Sequence, residues 1–349
     1  TWEQIILKER KISKPHVFKA EDTISIIYTS GTTGTPKGVM ISAKSIIIAL
    51  EAANEIAFLN EANNRFISYL PLCHIAERNF VEFAATACGG TIYFVENLQT
   101  FAANLKSASP THFLAVPRIW LKFQENILAK FGGHKGFEKI KKIPILGNLI
   151  ILMIIKKLGL SKAKLLITGA APIAPELINW YQDLGLSIQE AYGMTENLGL
   201  TSVMPKHGIQ LGTVGKVWPI CEVRIQEGEI QMKSEYVMQG YYKEPKLSKA
   251  AFDNEWLKTG DAGTLAPSGY LKITGRIKEN FKTSKGFYVS PSTIETHIQN
   301  HSLVDQVCVV GANLPEPMAL IILKPEAREL EKSQIEEQLD EVFSTLKIH

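Results

Sequence analysis

Cysteine is scarce. The 349 residues hold four, Cys73, Cys88, Cys221 and Cys308. None forms a CxxC pair and none stands beside a histidine at metal-ligand spacing, which excludes a zinc ribbon or a disulfide framework as the organising feature. They read as reduced, mostly buried thiols of an intracellular, cytoplasmic protein. An excess of one charge is missing too. Lys+Arg 38 against Asp+Glu 35 leaves a net charge of +3, too balanced for a nucleic-acid binder, so nucleic acid is not expected as a partner. Repeats and low-complexity linkers are absent, and 45% hydrophobic residues exclude dominant disorder. Long hydrophobic runs are lacking as well. The longest, around Ile143 to Ile155, is broken by Pro144, Gly147 and Asn148 and falls short of the roughly 18 residues of a membrane-spanning helix. Lys139, Lys141 and Lys142 precede it, and Lys156 and Lys157 follow. It reads first as a buried helix with solvated ends. The alternative is a helix lying at a membrane surface, a peripheral contact. A homodimer also stays open.

What is present is an alternation of short β-branched runs with longer helical patterns, the mark of an α/β protein. Strands are expected at Ile24 to Thr29, Phe66 to Leu70, Thr91 to Val95 and Leu165 to Thr168. Helices are expected at Ser45 to Leu59, Arg78 to Ala87 and near Pro175 to Leu184. From Val217 the texture turns to short strands (Val217 to Ile225, Glu229 to Met232, Leu271 to Thr274), suggesting a smaller β-rich subdomain. After Arg276 it changes again. Pro291 suits a helix start, Val304 to Val310 and Ala319 to Leu323 read as strands, and Ser333 with Glu336 has capping-box spacing. Ile335, Leu339, Val342 and Leu346 line one helical face. A domain boundary is therefore expected near Ile277 to Glu279. The chain starts at Thr1 and stops at His349 within that last helical pattern, and is expected to be a piece of a longer protein.

The strongest local signal is Tyr28-Thr29-Ser30-Gly31-Thr32-Thr33-Gly34-Thr35-Pro36-Lys37-Gly38-Val39. A buried strand runs into a loop of glycines and hydroxyl residues with one lysine. Glycines let backbone N–H groups converge into an anion-binding nest, the hydroxyls add donors, and Lys37 adds positive charge. Together they suit a polyphosphate. A Walker A loop would need Gly-Lys-Ser/Thr, but Pro36 precedes Lys37 and Gly38 follows it.

This stretch resembles the phosphate-binding signature of the adenylate-forming superfamily: acyl-CoA synthetases, luciferases and peptide-synthetase adenylation domains. Other motifs of that family follow in order, so the resemblance covers essentially the whole chain. It implies a large α/β adenylating domain with a small β-rich subdomain over residues 1–276, its N-terminal part missing. A truncated α+β lid domain follows over 277–349, hinged at 277–279. Thr29, Ser30, Gly31, Thr32, Thr33, Gly34 and Lys37 would hold the ATP phosphates. Gly169-Ala170-Ala171-Pro172 would face the adenine, small residues letting a flat ring approach the backbone. In Glu190-Ala191-Tyr192-Gly193-Met194-Thr195-Glu196, the resemblance assigns Tyr192 to stacking on adenine, Thr195 to the α-phosphate and Glu196 to Mg²⁺. Glu190, Ala191 and Gly193 fall in the same nucleotide-binding stretch. A hard cation such as Mg²⁺ is commonly held by one or two carboxylates plus phosphates. Asp261 of Thr259-Gly260-Asp261 would accept from the ribose hydroxyls, and Arg276 would reach ribose or phosphate; on their own residue types the two read equally well as a plain ion pair. Thr195, Glu196 and Lys37 would be the catalytic residues, Glu279 the hinge position, and Lys285 and Gly286 part of the loop approaching the thiol tunnel.

Leu70-Pro71-Leu72-Cys73-His74-Ile75-Ala76-Glu77-Arg78 matches the motif near the acyl site, where His74 would stand at the carboxylate end; a lone histidine reads equally as a structural one. That motif's ending, Ala115-Val116-Pro117-Arg118-Ile119-Trp120 and the Phe281 to Gly286 run resemble long-chain acyl-CoA synthetases. The resemblance therefore implies ATP, Mg²⁺ and CoA as co-substrates and a fatty acid as substrate: activation to acyl-adenylate with release of pyrophosphate, then transfer to CoA with release of AMP. Transfer to an acyl carrier protein and a nucleotide-binding remnant without turnover are the alternatives. The family's C-terminal lysine, which bridges carboxylate and phosphate, has no matching context after Val304; Lys324, Lys332 and Lys347 stand in the wrong surroundings. It is expected beyond His349.

Overall fold

The structure, a computed structural model, describes residues 16–29, 35–299 and 301–346. Strands β1 (Thr23–Thr29) and β2 (Lys37–Ser42) form an antiparallel hairpin with Thr29 opposite Lys37. Helix α1 (Ala43–Ile56) starts directly after it, its N-cap Ser42 accepting from the Ser45 N–H at 3.0 Å, which satisfies one of the helix's orphan donors. Then come β3 (Arg65–Ser68), a π-helical stretch at Glu77–Phe83 that runs into α2 (Ala84–Cys88), and β4 (Thr91–Phe94). The single helix expected over Arg78 to Ala87 is thus two helical types end to end, stopped by Gly89 at φ +61°, the left-handed conformation glycine adopts without a Cβ clash.

Helix α3 (Phe101–Ala108) leads to β5 (His112–Ala115), followed by α4 (Pro117–Lys130), α5 (Gly133–Lys141) and α6 (Leu146–Leu158). After β6 (Leu165–Thr168), α7 (Pro175–Asp183) and β7 (Ile188–Tyr192) come the short β8 (Ser202–Val203) and β9 (Lys216–Val217). These build a seven-stranded sheet of order β4-β3-β5-β6-β7-β8-β9, parallel from β4 to β7 and antiparallel beyond. Strand β6 shows why its four residues read as a continuous apolar run: helices or strands cover both faces. Leu166 packs into a core with Phe113, Trp120 and Tyr181, while Leu165 and Ile167 point the other way, into a core with Val39, Ile41 and Met232.

The β-rich part comprises β10 (Glu222–Gln226), β11 (Glu229–Lys233), β12 (Gly240–Tyr241), α8 (Pro245–Ala250), β13 (Phe252–Asp253), β14 (Trp256–Leu265) and β15 (Leu271–Arg276). Strand β12 leaves it to join β2 in a three-stranded sheet, and the others form an antiparallel sheet of five. The strand expected over Val217 to Ile225 is two strands, because Pro219 has no N–H for a ladder and the Cys221 N–H turns back to the Trp218 carbonyl. The last part holds the hairpins β16 (Phe281–Lys282) with β17 (Tyr288–Val289) and β18 (Val304–Val310) with β19 (Met318–Leu323). Helices α9 (Pro291–Gln299) and α10 (Lys332–Thr345) complete it.

Three further sequence expectations need correction. The capping box of α10 is Glu331 with Gln334, whose Oε1 accepts from the Glu331 N–H at 3.3 Å; the helix starts before Ser333, so Ser333 and Glu336 already lie inside it. The thiols are mostly not buried: Cys221 is, Cys88 is half-buried, and Cys73 and Cys308 are exposed. The Ile143 to Ile155 run is not a buried helix. It breaks between α5 and α6, and α6 buries Ile154 while leaving Leu146, Leu149, Leu152 and Met153 exposed. No helix among the described residues is long and apolar enough to cross a membrane.

Candidate active site

The ends of β6 and β7, the start of β2 and the middle of β14 come together. Parallel α/β sheets expose their carboxyl ends where chain segments turn away, and ligands commonly bind there. At the end of β6, Gly169 is buried with its Cα facing the Ala191 carbonyl; a Cβ there would lie 2.8 Å from that oxygen. Ala170 follows at φ +66°, a conformation rare outside glycine and enriched at functional sites. Ala171 and Pro172 are exposed. Beside them on β7, Glu190 is buried and Thr168 is its register partner. Burial pushes the Glu190 carboxyl up to about 8, with the Ile173 backbone hydrogen bond acting in the opposite sense.

Strand β7 ends in Ala191 and Tyr192. The Tyr192 hydroxyl donates to Asp261 Oδ2 at 2.5 Å, and Arg276 Nε lies 2.8 Å from Asp261 Oδ1. Asp261 and Arg276 face each other across the β14–β15 ladder, so sheet register fixes the pair. Asp261 is buried and Arg276 half exposed. Burial raises the Asp261 carboxyl above its ordinary range, while the Tyr192 hydrogen bond and the Arg276 charge pull it down. The same burial, with the Asp261 charge beside it, holds the Tyr192 hydroxyl well above its usual range.

Beyond Gly193, whose Cα packs against the Gly199 backbone, Thr195–Asn197 makes one 3-10 turn. The Asn197 side chain fixes that turn: its Oδ1 accepts from the Met194 N–H at 2.9 Å. Glu196 is buried, its Oε1 accepts from the Tyr241 hydroxyl at 2.8 Å, and its carbonyl accepts from the Met238 N–H at 2.7 Å. Lys37 Nζ lies 5.3 Å from the centre of the Tyr241 ring, a cation–π contact. Tyr241 therefore ties Lys37 of β2 to Glu196. Thr29 is described at the end of β1, its hydroxyl 3.5 Å from the Lys37 carbonyl. Ser30, Gly31, Thr32, Thr33 and Gly34 lie outside the described residues.

His74 is exposed at the mouth of an apolar cavity, its Nδ1 accepting from the Ala76 N–H at 3.1 Å. The cavity encloses about 990 Å³ of empty space, mouth included, and its lining joins His74, Ala170 and Gly193 to Ala53, Leu198 and Trp218. Glu77 is buried beneath the His74 loop. Burial raises its carboxyl, and its Oε2 accepts from the Leu70 N–H at 3.2 Å. Glu279 sits in the turn after β15, where its N–H and that of Asn280 both donate to the Arg276 carbonyl. Lys285 pairs with Glu316 at 2.9 Å, and Gly286 has φ +87°. Among the described residues, no hydrogen bond or ion pair joins Lys285 or Gly286 to the Glu196 or Asp261 groups.

The motifs thus meet in two coupled constellations, Tyr192–Asp261–Arg276 and Lys37–Tyr241–Glu196, beside the apolar cavity. Sequence reasoning missed Tyr241, Asn197 and Met238, which hold Glu196 in place. Tyr241 carries no periodic signal because its strand is two residues long. No cluster of three metal-ligating side chains exists among the described residues. A lone carboxylate is nevertheless the donor set Mg²⁺ takes when phosphates and waters fill its other positions. Glu196 fits, since Tyr241 engages Oε1 and Oε2 accepts no hydrogen bond among the described residues.

Among known proteins, the AMP-binding enzyme family matches residues 2–242, and the AMP-binding enzyme C-terminal domain matches residues 280–347. The chain is 30% identical over 337 residues to the long-chain-fatty-acid–CoA ligase FadD15 of Mycobacterium bovis, covering 89% of this chain and 56% of that protein. It is 33% identical over 341 residues to the Mus musculus long-chain-fatty-acid–CoA ligase 5, covering 88% and 50%. The chain spans about half the length of the curated relatives it matches. Unliganded O-succinylbenzoate coenzyme A synthetase from Bacillus subtilis superposes with a TM-score of 0.75 at 19% identity, covering 99% of this chain and 71% of that one. The same enzyme in complex with ATP and magnesium ion gives 0.74 at 23% identity, covering 97% and 68%. At such identities the likeness shows the fold, a mixed α/β adenylating fold.

Proposed function

The chain belongs to the AMP-binding enzyme family, and from that premise we propose that it is the central part of a long-chain fatty-acid–CoA ligase. The observation that carries this reading is the apolar cavity lined by His74, Ala170 and Gly193, the last of them next in the chain to Tyr192, whose hydroxyl bonds the buried Asp261. A fatty acid needs an apolar slot for its chain and a polar mouth for its carboxylate. The nucleotide would lie against Gly169 to Pro172 and Tyr192, with its ribose on Asp261 and Arg276. Glu190 belongs to the strand beneath. The phosphates would meet Thr29, the Ser30 to Gly34 loop, Lys37 and Thr195.

In this reading the fatty carboxylate attacks the α-phosphorus and pyrophosphate leaves; a CoA thiolate then attacks the acyl carbonyl and AMP leaves. Neither step needs a covalent bond to the protein, so the residues act by positioning and by offsetting charge. Tyr241 and the Met238 N–H orient Glu196, which would hold Mg²⁺; when bound, that ion neutralises phosphate charge. Arg276 keeps Asp261 turned toward the ribose position. The large domain is taken as 1–276 and the lid as 277–349, turning at Glu279 so that Lys285 and Gly286 approach the thiol path in the second step. The exposed leucines of α6, flanked by lysines, are read as a peripheral membrane contact that would supply a lipid substrate.

The test is thioester formation by the protein with ATP, Mg²⁺ and CoA across fatty, aryl and amino acids, with pyrophosphate release followed separately. Long-chain fatty acids are the expected best substrates, and Glu196→Ala is expected to lose about a hundredfold or more in Mg²⁺-dependent adenylation while still folding, at some loss of stability because the buried Tyr241 hydroxyl loses its acceptor. Turnover confined to aryl or amino acids refutes the fatty-acid reading. Full adenylation by Glu196→Ala refutes the metal assignment.

A further inference from the structure

The apolar cavity is not the only space at this end of the sheet. A second one, open to solvent and spanning about 790 Å³ with its opening included, adjoins it, with Met204, Lys206, Lys216 and Pro219 in its lining. Ile56 and Val203 line both. Three short stretches of chain separate the two spaces, and each gives neighbouring residues to opposite sides. At the end of α1, Ala57 faces the first space and Phe58 the second. Ser202 of β8 lines the first and Met204, just past β8, the second; around β9, Trp218 lines the first and Val217 and Pro219 the second.

The partition is unevenly built. Its β8–β9 part is backbone, closed by the ladder pairing Ser202 with Val217 and Val203 with Lys216, and by the Trp218 N–H donating to the Thr201 carbonyl at 2.9 Å. Beyond that ladder, the residues common to both linings are Ile56 and Val203, which belong to one apolar cluster with Trp218. The buried Trp218 indole nitrogen beside them has no hydrogen-bond partner among the described residues. Both chambers are largely apolar, and the lysines sit on the second only.

We propose that Ile56 and Val203 are the plug that sets the longest acyl chain this site takes, and that the space behind them is a latent extension of the acyl slot. This rests on the fatty-acid reading above and deepens it. An acyl chain entering at His74 runs down the first chamber and stops where the Ile56 and Val203 side chains meet. Trimming either side chain joins the chambers, so added methylenes enter apolar space instead of a wall. Widening Ile56 moves the stop toward the mouth.

The experiment measures kcat/KM for a saturated series from octanoate to eicosanoate with wild type, Ile56→Ala, Val203→Ala and Ile56→Phe, after melting curves establish that each variant folds. Pocket contacts of one or a few methylenes change discrimination by about tenfold or more. The ratio of eicosanoate to dodecanoate is therefore expected to rise about tenfold in Ile56→Ala and in Val203→Ala. In Ile56→Phe the longest acids are lost first, with octanoate spared. An equal change across the whole series in folded variants overturns the proposal, because it marks a structural role only. A wild type that activates no acid in the series overturns the fatty-acid reading and this proposal with it. A wild type active on the series, with variants of unmoved length profile, overturns the plug alone. Ile56→Val, which removes one methyl, should fall between wild type and Ile56→Ala.

Discussion

Glu190 is a carboxyl inside a sheet, and its neighbourhood decides its behaviour. Burial pushes it to about 8 from an ordinary 4.5. The sign of the linkage follows. Below the ordinary value, folded and unfolded chains both hold the proton, and Glu190 carries no penalty. As pH rises from there to about 8, the unfolded chain gives up its proton and the folded chain keeps it. Stability then falls by about 1.4 kcal/mol per pH unit from this group. Glu190→Gln keeps an acceptor for the Ile173 N–H and removes the titration. Denaturant unfolding at stepped pH should show a flatter stability profile between about pH 5 and about pH 8 in the variant; identical slopes would contradict it. Tyr241 is the second residue to test. Tyr241→Phe leaves the buried Glu196 Oε1 without its donor, which costs about 1–3 kcal/mol in a buried site, and it frees the carboxylate to swing. We expect lower stability in denaturant together with a raised Mg²⁺ requirement for adenylation, read by titrating the metal. A change in stability alone would make Tyr241 a packing residue. Glu196, Asp261 and Arg276 were legible in the sequence because short motifs with fixed neighbours carry them. Tyr241 and the φ of Ala170 were not, because one depends on a strand that leaves its own sheet and the other on a backbone angle.

At the scale of elements, hydrophobic period was the dependable signal. Strand β6 and strand β18 lie where apolar runs put them, since their residues must be buried on one face or both. The expectations that failed did so where a few polar contacts decide. The start of α10 is set by the reciprocal Glu331 and Gln334 bonds, which outbid the equally plausible Ser333 spacing. Helix α6 failed for another reason: apolar content does not say which face is covered. Its inward side, with Ile150, Ile151 and Ile155, packs on the core, while Leu146, Leu149, Leu152 and Met153 face out. Lys142, Lys156 and Lys157 flank that face and form no ion pair among the described residues. A helix with outward leucines between lysines matches an anionic lipid surface, each lysine adding about 1 kcal/mol near the headgroups. Co-sedimentation with phosphatidylglycerol-containing vesicles should therefore exceed that with phosphatidylcholine alone. Leu149→Gln combined with Leu152→Gln should weaken it about tenfold or more. Equal sedimentation of wild type and variant would remove α6 from the contact.

For the whole molecule, the part after Arg276 meets the rest through the start of helix α9, where the Ser290 and Thr293 hydroxyls donate to the Thr274 carbonyl, and through two ion pairs with α4. Arg118 of α4 pairs with Asp305 at 3.4 Å, and Glu125 of the same helix pairs with Lys324 at 2.6 Å. Exposed ion pairs contribute about 0–1 kcal/mol each and weaken with salt. Two of them make a light latch, suited to a segment that must leave and return. If the lid turns at Glu279 between the two half-reactions, the observed orientation serves one of them and the latch favours that one. Glu125→Gln with Asp305→Asn should then slow the half-reaction served by this orientation and speed the other, shifting the ratio of the two rates about fivefold to tenfold. Pyrophosphate exchange reads the first step and single-turnover thioester formation from preformed acyl-adenylate reads the second. High salt on the wild type should reproduce the shift, because it screens the same charges. Parallel changes in both half-reactions, or none, would mean that these pairs decorate the surface and that the lid is held by its other contacts.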